Sequence, residues 1–229
     1  MTIISRWNFI AVLTLTACLA FGADTTPSPN PSSVDIPALV KKAESGDAKA
    51  QYTLALLYAK GEGVPKDEVL AASWHRKAAE QGLASAQWSL GNCYLTEKGV
   101  PRSNALAVSW YRKAAEQGLA SAQRSLGNCY SYGIGIPRDN VLAVSWHRKA
   151  AEQGLAIAQW DLGICYLYGL GIPKDDVAAF MWFDLSAAQS FDTAAKYRDE
   201  LSAKMTPEQI TEAQRMSREW KPTKASASP

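Results

Sequence analysis

Residues 79–114 read AEQGLASAQWSLGNCYLTEKGVPRSNALAVSWYRKA, and residues 115–150 read AEQGLASAQRSLGNCYSYGIGIPRDNVLAVSWHRKA. Twenty-seven of the 36 positions are identical. Residues 43–78 and 151–186 keep the same skeleton with more drift. A fixed period of this length marks a stacked repeat array. Each unit of such an array buries its apolar face only against its neighbours, and the product is an extended surface more often than a catalytic pocket.

Each unit reads as two helices. In the second copy the spacing predicts a first helix over 85–95, with Ala86, Leu90, Cys93 and Tyr94 on one face. The loop Glu97-Lys98-Gly99-Val100-Pro101 follows. Ser103 then caps a second helix carrying Leu106, Trp110 and Ala114 at four-residue spacing. Asp67, Asp139 and Asp175 hold the cap position in the other copies. Gly46, Gly82, Gly118 and Gly154 hold the helix end, where a left-handed residue closes the last turn. Before the array, Asp35 caps a half-repeat over 35–42 that covers its open end. After it, Ser190 replaces the helix-end glycine, and Thr206-Pro207-Glu208-Gln209 starts a closing helix over 207–220. The units therefore divide as 1–22 leader, 23–34 linker, 35–190 array, 191–220 capping helices and 221–229 a fraying tail.

The leader has one positive charge, Arg6, then an apolar run from Trp7 to Leu19, then small residues, which is the layout of an export signal. The run is shorter than the roughly 20 apolar residues a spanning helix needs, and it carries Asn8, Thr14 and Thr16. Two processing routes fit. Ala20-Phe21-Gly22 suits cleavage before Ala23. Leu15-Thr16-Ala17-Cys18 resembles a lipobox, with Cys18 the lipidated residue, but Leu19-Ala20-Phe21 continues the apolar run where lipoproteins turn polar. Both routes take the mature chain out of the cytosol, to a bacterial periplasm or, alternatively, to a lipid anchor at the envelope or to secretion, and only lipidation at Cys18 would tie it to a membrane. Residues 23–34 (ADTTPSPNPSSV) are rich in proline, serine and threonine, as linkers are.

The composition is that of a soluble protein, 47% hydrophobic and 20% charged, with a net charge of +2. That balance gives no footprint for nucleic acid. Cys93, Cys129 and Cys165 recur at one position of successive units. Stacked helices hold equivalent atoms about 10 Å apart, and a disulfide needs Cα atoms within about 7 Å. These thiols are expected to be free and buried. No second ligand type recurs beside them, so no metal or other cofactor is expected.

The repeating strings Ala-Gln-x-x-Leu-Gly-x-Cys-Tyr, Gly-x-Gly-[Val/Ile]-Pro and Ser-Trp-[His/Tyr]-Arg-Lys-Ala-Ala-Glu-Gln-Gly resemble the Sel1-like repeat, a relative of the tetratricopeptide repeat. Trp74, Trp110, Trp146 and Trp182 match its aromatic position, and Tyr58, Tyr94, Tyr130 and Tyr166 match another. The resemblance implies an all-α, right-handed superhelical solenoid of antiparallel helix pairs. It also implies an adaptor role, holding a protein or peptide partner at the cell envelope. By analogy with tetratricopeptide geometry, a concave groove would carry Tyr52, Leu56, Trp88, Asn92, Arg124, Asn128, Trp160 and Ile164, with Ala59, Leu95, Ser131 and Leu167 beyond them. Trp88 and Arg124 are the pair that stands out, because the units around them are nearly identical.

Catalytic readings find little to build on, and no catalytic residue is assigned. The Gly-x-Gly loops lack the Lys-Ser/Thr of a phosphate-binding loop. His75 and His147 are the only histidines, and Tyr111 and Phe183 hold the same position in the other units, so it is a packing position. No Gly-x-Ser-x-Gly or Ser-x-x-Lys occurs. The alternative is a β-lactamase-like or peptidoglycan-binding or -hydrolysing envelope protein, suggested by a secreted, cysteine-rich branch of the family. That branch pairs two cysteines within a repeat, and this chain has one. Arg76-Lys77, Arg112-Lys113 and Arg148-Lys149, each with a glutamate four after the arginine, read as a solvated ladder.

Overall fold

The structure, a computed structural model, describes residues 35–223. The leader 1–22 with Cys18, the linker 23–34 and the tail beyond Thr223 lie outside the described residues. The described residues form eleven helices and no strand. In chain order they are α1 (Ile36–Glu44), α2 (Ala48–Lys60), α3 (Glu68–Glu80), α4 (Ala84–Thr96), α5 (Asn104–Glu116), α6 (Ala120–Tyr132), α7 (Asn140–Glu152), α8 (Ala156–Tyr168), α9 (Asp176–Ala187), α10 (Asp192–Ser202) and α11 (Pro207–Glu219). Each helix from α1 to α10 packs on its sequence neighbours, and α11 packs on α9. This is the stacked-pair solenoid that the period implies, with each unit closing on the next.

The helix ends follow the predicted chemistry. Asp67, Ser103, Asp139 and Asp175 cap α3, α5, α7 and α9 through their side chains. Thr206 and Gln209 form a reciprocal capping box on α11. Ser190 keeps the left-handed turn of the glycines it replaces, at φ 64°. A second such residue is Glu97, at φ 59°, where Gly61, Gly133 and Gly169 end the other first helices.

The second helices α3, α5 and α7 bury mostly small residues against larger ones on the first helices, whereas α9 buries Phe180, Met181, Trp182 and Phe183. Ala86, Leu90, Cys93 and Tyr94 of α4 are all buried as the spacing predicts. On α5 the inward face is Ala107, Val108, Tyr111, Ala114 and Ala115. Leu106 of the predicted stripe is 44% exposed, because alanines let the paired backbones close on the other side of the helix. Cys93, Cys129 and Cys165 are buried free thiols.

A glutamine ladder joins the units. Gln51 of α2 donates to the Ala43 carbonyl at the end of α1 (3.0 Å) and accepts from Gln81 at the end of α3 (2.7 Å). Gln87 with Gln117, Gln123 with Gln153 and Gln159 with Gln189 repeat the bond at 2.7–2.9 Å. Gln87, Gln123 and Gln159 likewise donate to the last turn of the preceding helix. A buried amide left unpaired is costly, so the ladder fixes the offset between units.

Candidate functional site

The proposed groove positions lie on the first helices α2, α4, α6 and α8, and the structure buries most of them. Tyr52, Trp88, Arg124, Asn128, Trp160 and Ile164 are each at most 9% exposed, while Leu56 and Asn92 are half-buried. The expectation that Trp88, Arg124 and Trp160 stand open as anchors is therefore corrected. Each points along the stack and is sealed by the unit that follows it.

What seals each one explains why near-identical units differ. The Trp88 indole N–H donates to Ser125 Oγ at 3.0 Å, 37 positions on. Arg124 meets Asp161, also 37 on, with Nε donating to Oδ2 at 2.6 Å. The change from tryptophan to arginine is thus matched by a change from serine to aspartate in the next unit. For Trp160 the equivalent position is Tyr197, whose ring lies edge-on at 6.1 Å, and Phe191 packs beside it at 6.0 Å. Lacking the serine, the Trp160 indole nitrogen is buried without a hydrogen-bond partner.

The ring position of the second helices is equally structural. His75, Tyr111, His147 and Phe183 are all under 5% exposed. Tyr111 donates its hydroxyl proton to Asn92 Oδ1 at 2.6 Å. Burial pushes His75 down to about 4 and lowers His147, the latter opposed by the Asp161 carboxylate. Burial pushes the Cys93 thiol up to about 11 and Cys165 up to about 12, which leaves them poor nucleophiles. The Gly-x-Gly loops pack on the previous unit. A Cβ on Gly135 or Gly171 would fall 2.5 or 2.2 Å from the carbonyl oxygen of Asn104 or Asn140. Those loops are inter-unit contacts. The ladder arginines Arg76, Arg112 and Arg148 donate to the hydroxyls of Tyr94, Tyr130 and Tyr166 at 2.9–3.2 Å, across to the next first helix. Among the described residues no cluster of histidine, cysteine and carboxylate side chains could hold a metal ion, and no helix is long and apolar enough to cross a membrane.

The accessible part of the first-helix face is its C-terminal end. Leu95, Ser131 and Leu167 are half-buried there, and Tyr132 and Tyr168 are 37% and 48% exposed. Lys60 and Thr96 hold the tyrosine position in the first two units. The sequence reading missed these tyrosines. The signal was present, since this position also varies between otherwise matched units, but it lay one residue beyond the row taken from tetratricopeptide geometry.

Among the described residues, helices stacked in antiparallel pairs and closed by capping helices define an all-α repeat solenoid. The Sel1 repeat model matches residues 48–83, 84–119, 120–155 and 156–191, and the chain belongs to the Sel1 repeat family. Proteins built from this repeat generally serve as scaffolds for protein–protein interaction. A protective antigen of uropathogenic Escherichia coli that displays an SLR fold is 42% identical, with a TM-score of 0.76 over 81% of this chain and 40% of that one. A Sel1 repeat protein from Oxalobacter formigenes is 34% identical, with a TM-score of 0.66 over 72% of this chain and 48% of that one. The chain thus spans less than half the length of either. A comparison with curated proteins found no match.

Proposed function

We propose that this chain is an exported, non-enzymatic adaptor that holds a protein partner against the exposed C-terminal ends of its first helices. The observation that carries the reading is the pair Tyr132 and Tyr168, exposed aromatics one unit apart on a face whose other large side chains are buried or half-buried. Tyrosine gives large contact area at small entropic cost and keeps a polar tip for hydrogen bonding, which is why it is enriched at interaction hot spots. Half-buried Leu95 and Leu167 add apolar surface beside them. His75, His147, Cys93, Cys129 and Cys165, which would otherwise offer a base or a nucleophile, are buried in packing.

Crosslinking in the intact cell envelope, followed by quantitative mass spectrometry, tests the face. A folded Tyr132→Ala/Tyr168→Ala variant is expected to lose its crosslinked partner at least tenfold, whereas Leu70→Ala on a second helix retains it. Equal recovery by the tyrosine variant would reject the assignment. Export rests on the leader sequence. The intact mass of the mature protein distinguishes a chain starting at Ala23 from one acylated at Cys18, and a mass retaining Met1 through Gly22 rejects both.

A further inference from the structure

The tail beyond α11 is not frayed along its described length, contrary to the sequence expectation. After Trp220 the backbone turns extended and crosses the end of α7. The Thr223 amide donates to the Glu152 carbonyl at 2.8 Å, and its hydroxyl donates to the same oxygen at 3.1 Å. Trp220 stands edge-on to Trp182 at 6.1 Å. Trp220 and Pro222 fill the space in front of Gly154, where a Cβ would meet Pro222 at 3.6 Å and Trp220 at 3.9 Å. The seat is therefore a tryptophan from one second helix, the glycine that ends the previous one, and a carbonyl from that helix's last residue.

Every part of this seat recurs with the period. By that period the counterparts of Trp182, Glu152 and Gly154 are Trp146 with Glu116 and Gly118, Trp110 with Glu80 and Gly82, and Trp74 with Glu44 and Gly46. A Cβ on Gly46, Gly82 or Gly118 would meet nothing within 4 Å, so the space filled at Gly154 is open at the other three. The exposure pattern agrees. Trp182 is 6% exposed while its three counterparts are half-buried, and Glu152 is half-covered while Glu80 and Glu116 are exposed. One feature differs. Lys77, Lys113 and Lys149 hold their ammonium groups 3.8–4.1 Å above the rings of Trp74, Trp110 and Trp146, and the fourth seat has Leu185 at that place.

We propose that the three open seats bind an extended segment of a partner protein with the pattern aromatic–acidic–proline–threonine. The chain's own Trp220-Lys221-Pro222-Thr223 shows the fit of the aromatic, the proline and the threonine backbone amide. The lysine over each open seat selects an acidic side chain where the tail has Lys221, because a carboxylate pairs with the ammonium that an incoming ring must displace or share. The seats lie at the C-terminal ends of the second helices. Antiparallel pairing puts them at the opposite edge of the array from Tyr132 and Tyr168, so failure of the tyrosine face would leave this proposal standing.

The test uses the full chain and a synthetic peptide of residues 216–223 carrying Lys221→Glu, with a benzophenone at its N-terminus. Saturable binding is expected, with photo-crosslinks in the segments containing Gly46, Gly82, Gly118 or their facing tryptophans. The unaltered Lys221 peptide is expected to bind at least threefold more weakly, and a Trp220→Ala peptide at least tenfold more weakly. A Gly46→Asn/Gly82→Asn/Gly118→Asn chain, in which asparagine tolerates the left-handed turn and fills the seat, is expected to lose at least tenfold. The crosslink map stands without that variant should it fold poorly. Absence of saturable binding, or crosslinks only at Gly154 and Trp182 through displacement of the tail, would overturn the proposal. So would peptide-free chains that self-associate in sedimentation through a contact abolished by Trp220→Ala, since a second copy would then be the occupant.

Discussion

Arg124 and Asp161 form a salt bridge whose side chains are only 10% and 11% exposed. Removing one partner takes the nearest counter-charge from the other buried group, which typically costs about 3 kcal/mol or more. Asp161→Ala is expected to lower the unfolding free energy by about that amount in urea melts. The double change Arg124→Trp/Asp161→Ser rebuilds the Trp88–Ser125 pair one unit further on, and it is expected to recover most of the loss. Additive effects of the single changes Arg124→Trp and Asp161→Ser in the double variant would show that the two positions are not coupled. His75 carries a second residue-level consequence. The unfolded chain takes up its proton near the ordinary value of 6.5, the folded chain only near 4. The stability that neutral His75 contributes is thus complete above about pH 6.5 and is lost as the pH falls toward 4. His147 moves in the same direction. His75→Phe, which copies Phe183 of the fourth unit, is expected to shrink the fall in Tm between pH 6.5 and 4. An unchanged profile would place the acid sensitivity elsewhere. The sequence identified this ring position as packing from the His/Tyr/Phe exchange alone. The sealing of Trp88 and Arg124 was not legible, because each partner lies 37 residues on and an exchange within one unit looks unprovoked until that residue is read beside it.

Among the helices, α4 ends differently from its counterparts. Its last turn closes on Glu97 in the left-handed region, with the amide bonded to the Cys93 carbonyl, where the other first helices close on glycine. A side chain there costs about 1 kcal/mol or more, partly offset by the entropy glycine loses on folding. Glu97→Gly is expected to raise stability by roughly 1 kcal/mol, read as a shift in urea midpoint with an unchanged slope. A lower midpoint would mean that the Glu97 side chain makes a contact worth more than the strain. Helix starts and stops were the most legible part of this chain, since Asp67, Ser103, Asp139, Asp175 and Thr206 act through bonds within three residues of themselves. The face each helix buries was less so. Leu106 follows an apolar spacing but lies outward, because alanine-lined contact between paired helices set the inward side.

At the scale of the whole molecule, the 36-residue period gave the architecture and the order of its parts, and the docked tail escaped it. Nothing periodic marks Lys221–Thr223, and its seat exists only once two second helices stand side by side. The paired exceptions between units have a further consequence, for how such a gene can change length. Units two and three are similar enough for their coding segments to misalign and recombine, which would add or delete one unit in frame. The glutamine ladder accepts either addition, since every unit carries the same two amides. The 37-residue pairs do not. A second copy of residues 84–119 places a serine after each Trp88 and keeps every pair. A second copy of residues 120–155 places a serine after the first Arg124, leaving one guanidinium buried with no carboxylate. The first five-unit chain is expected to melt at or above the parent, and the second well below it, in parallel thermal unfolding. The array is therefore free to grow by one of its two twin units and held back from growing by the other.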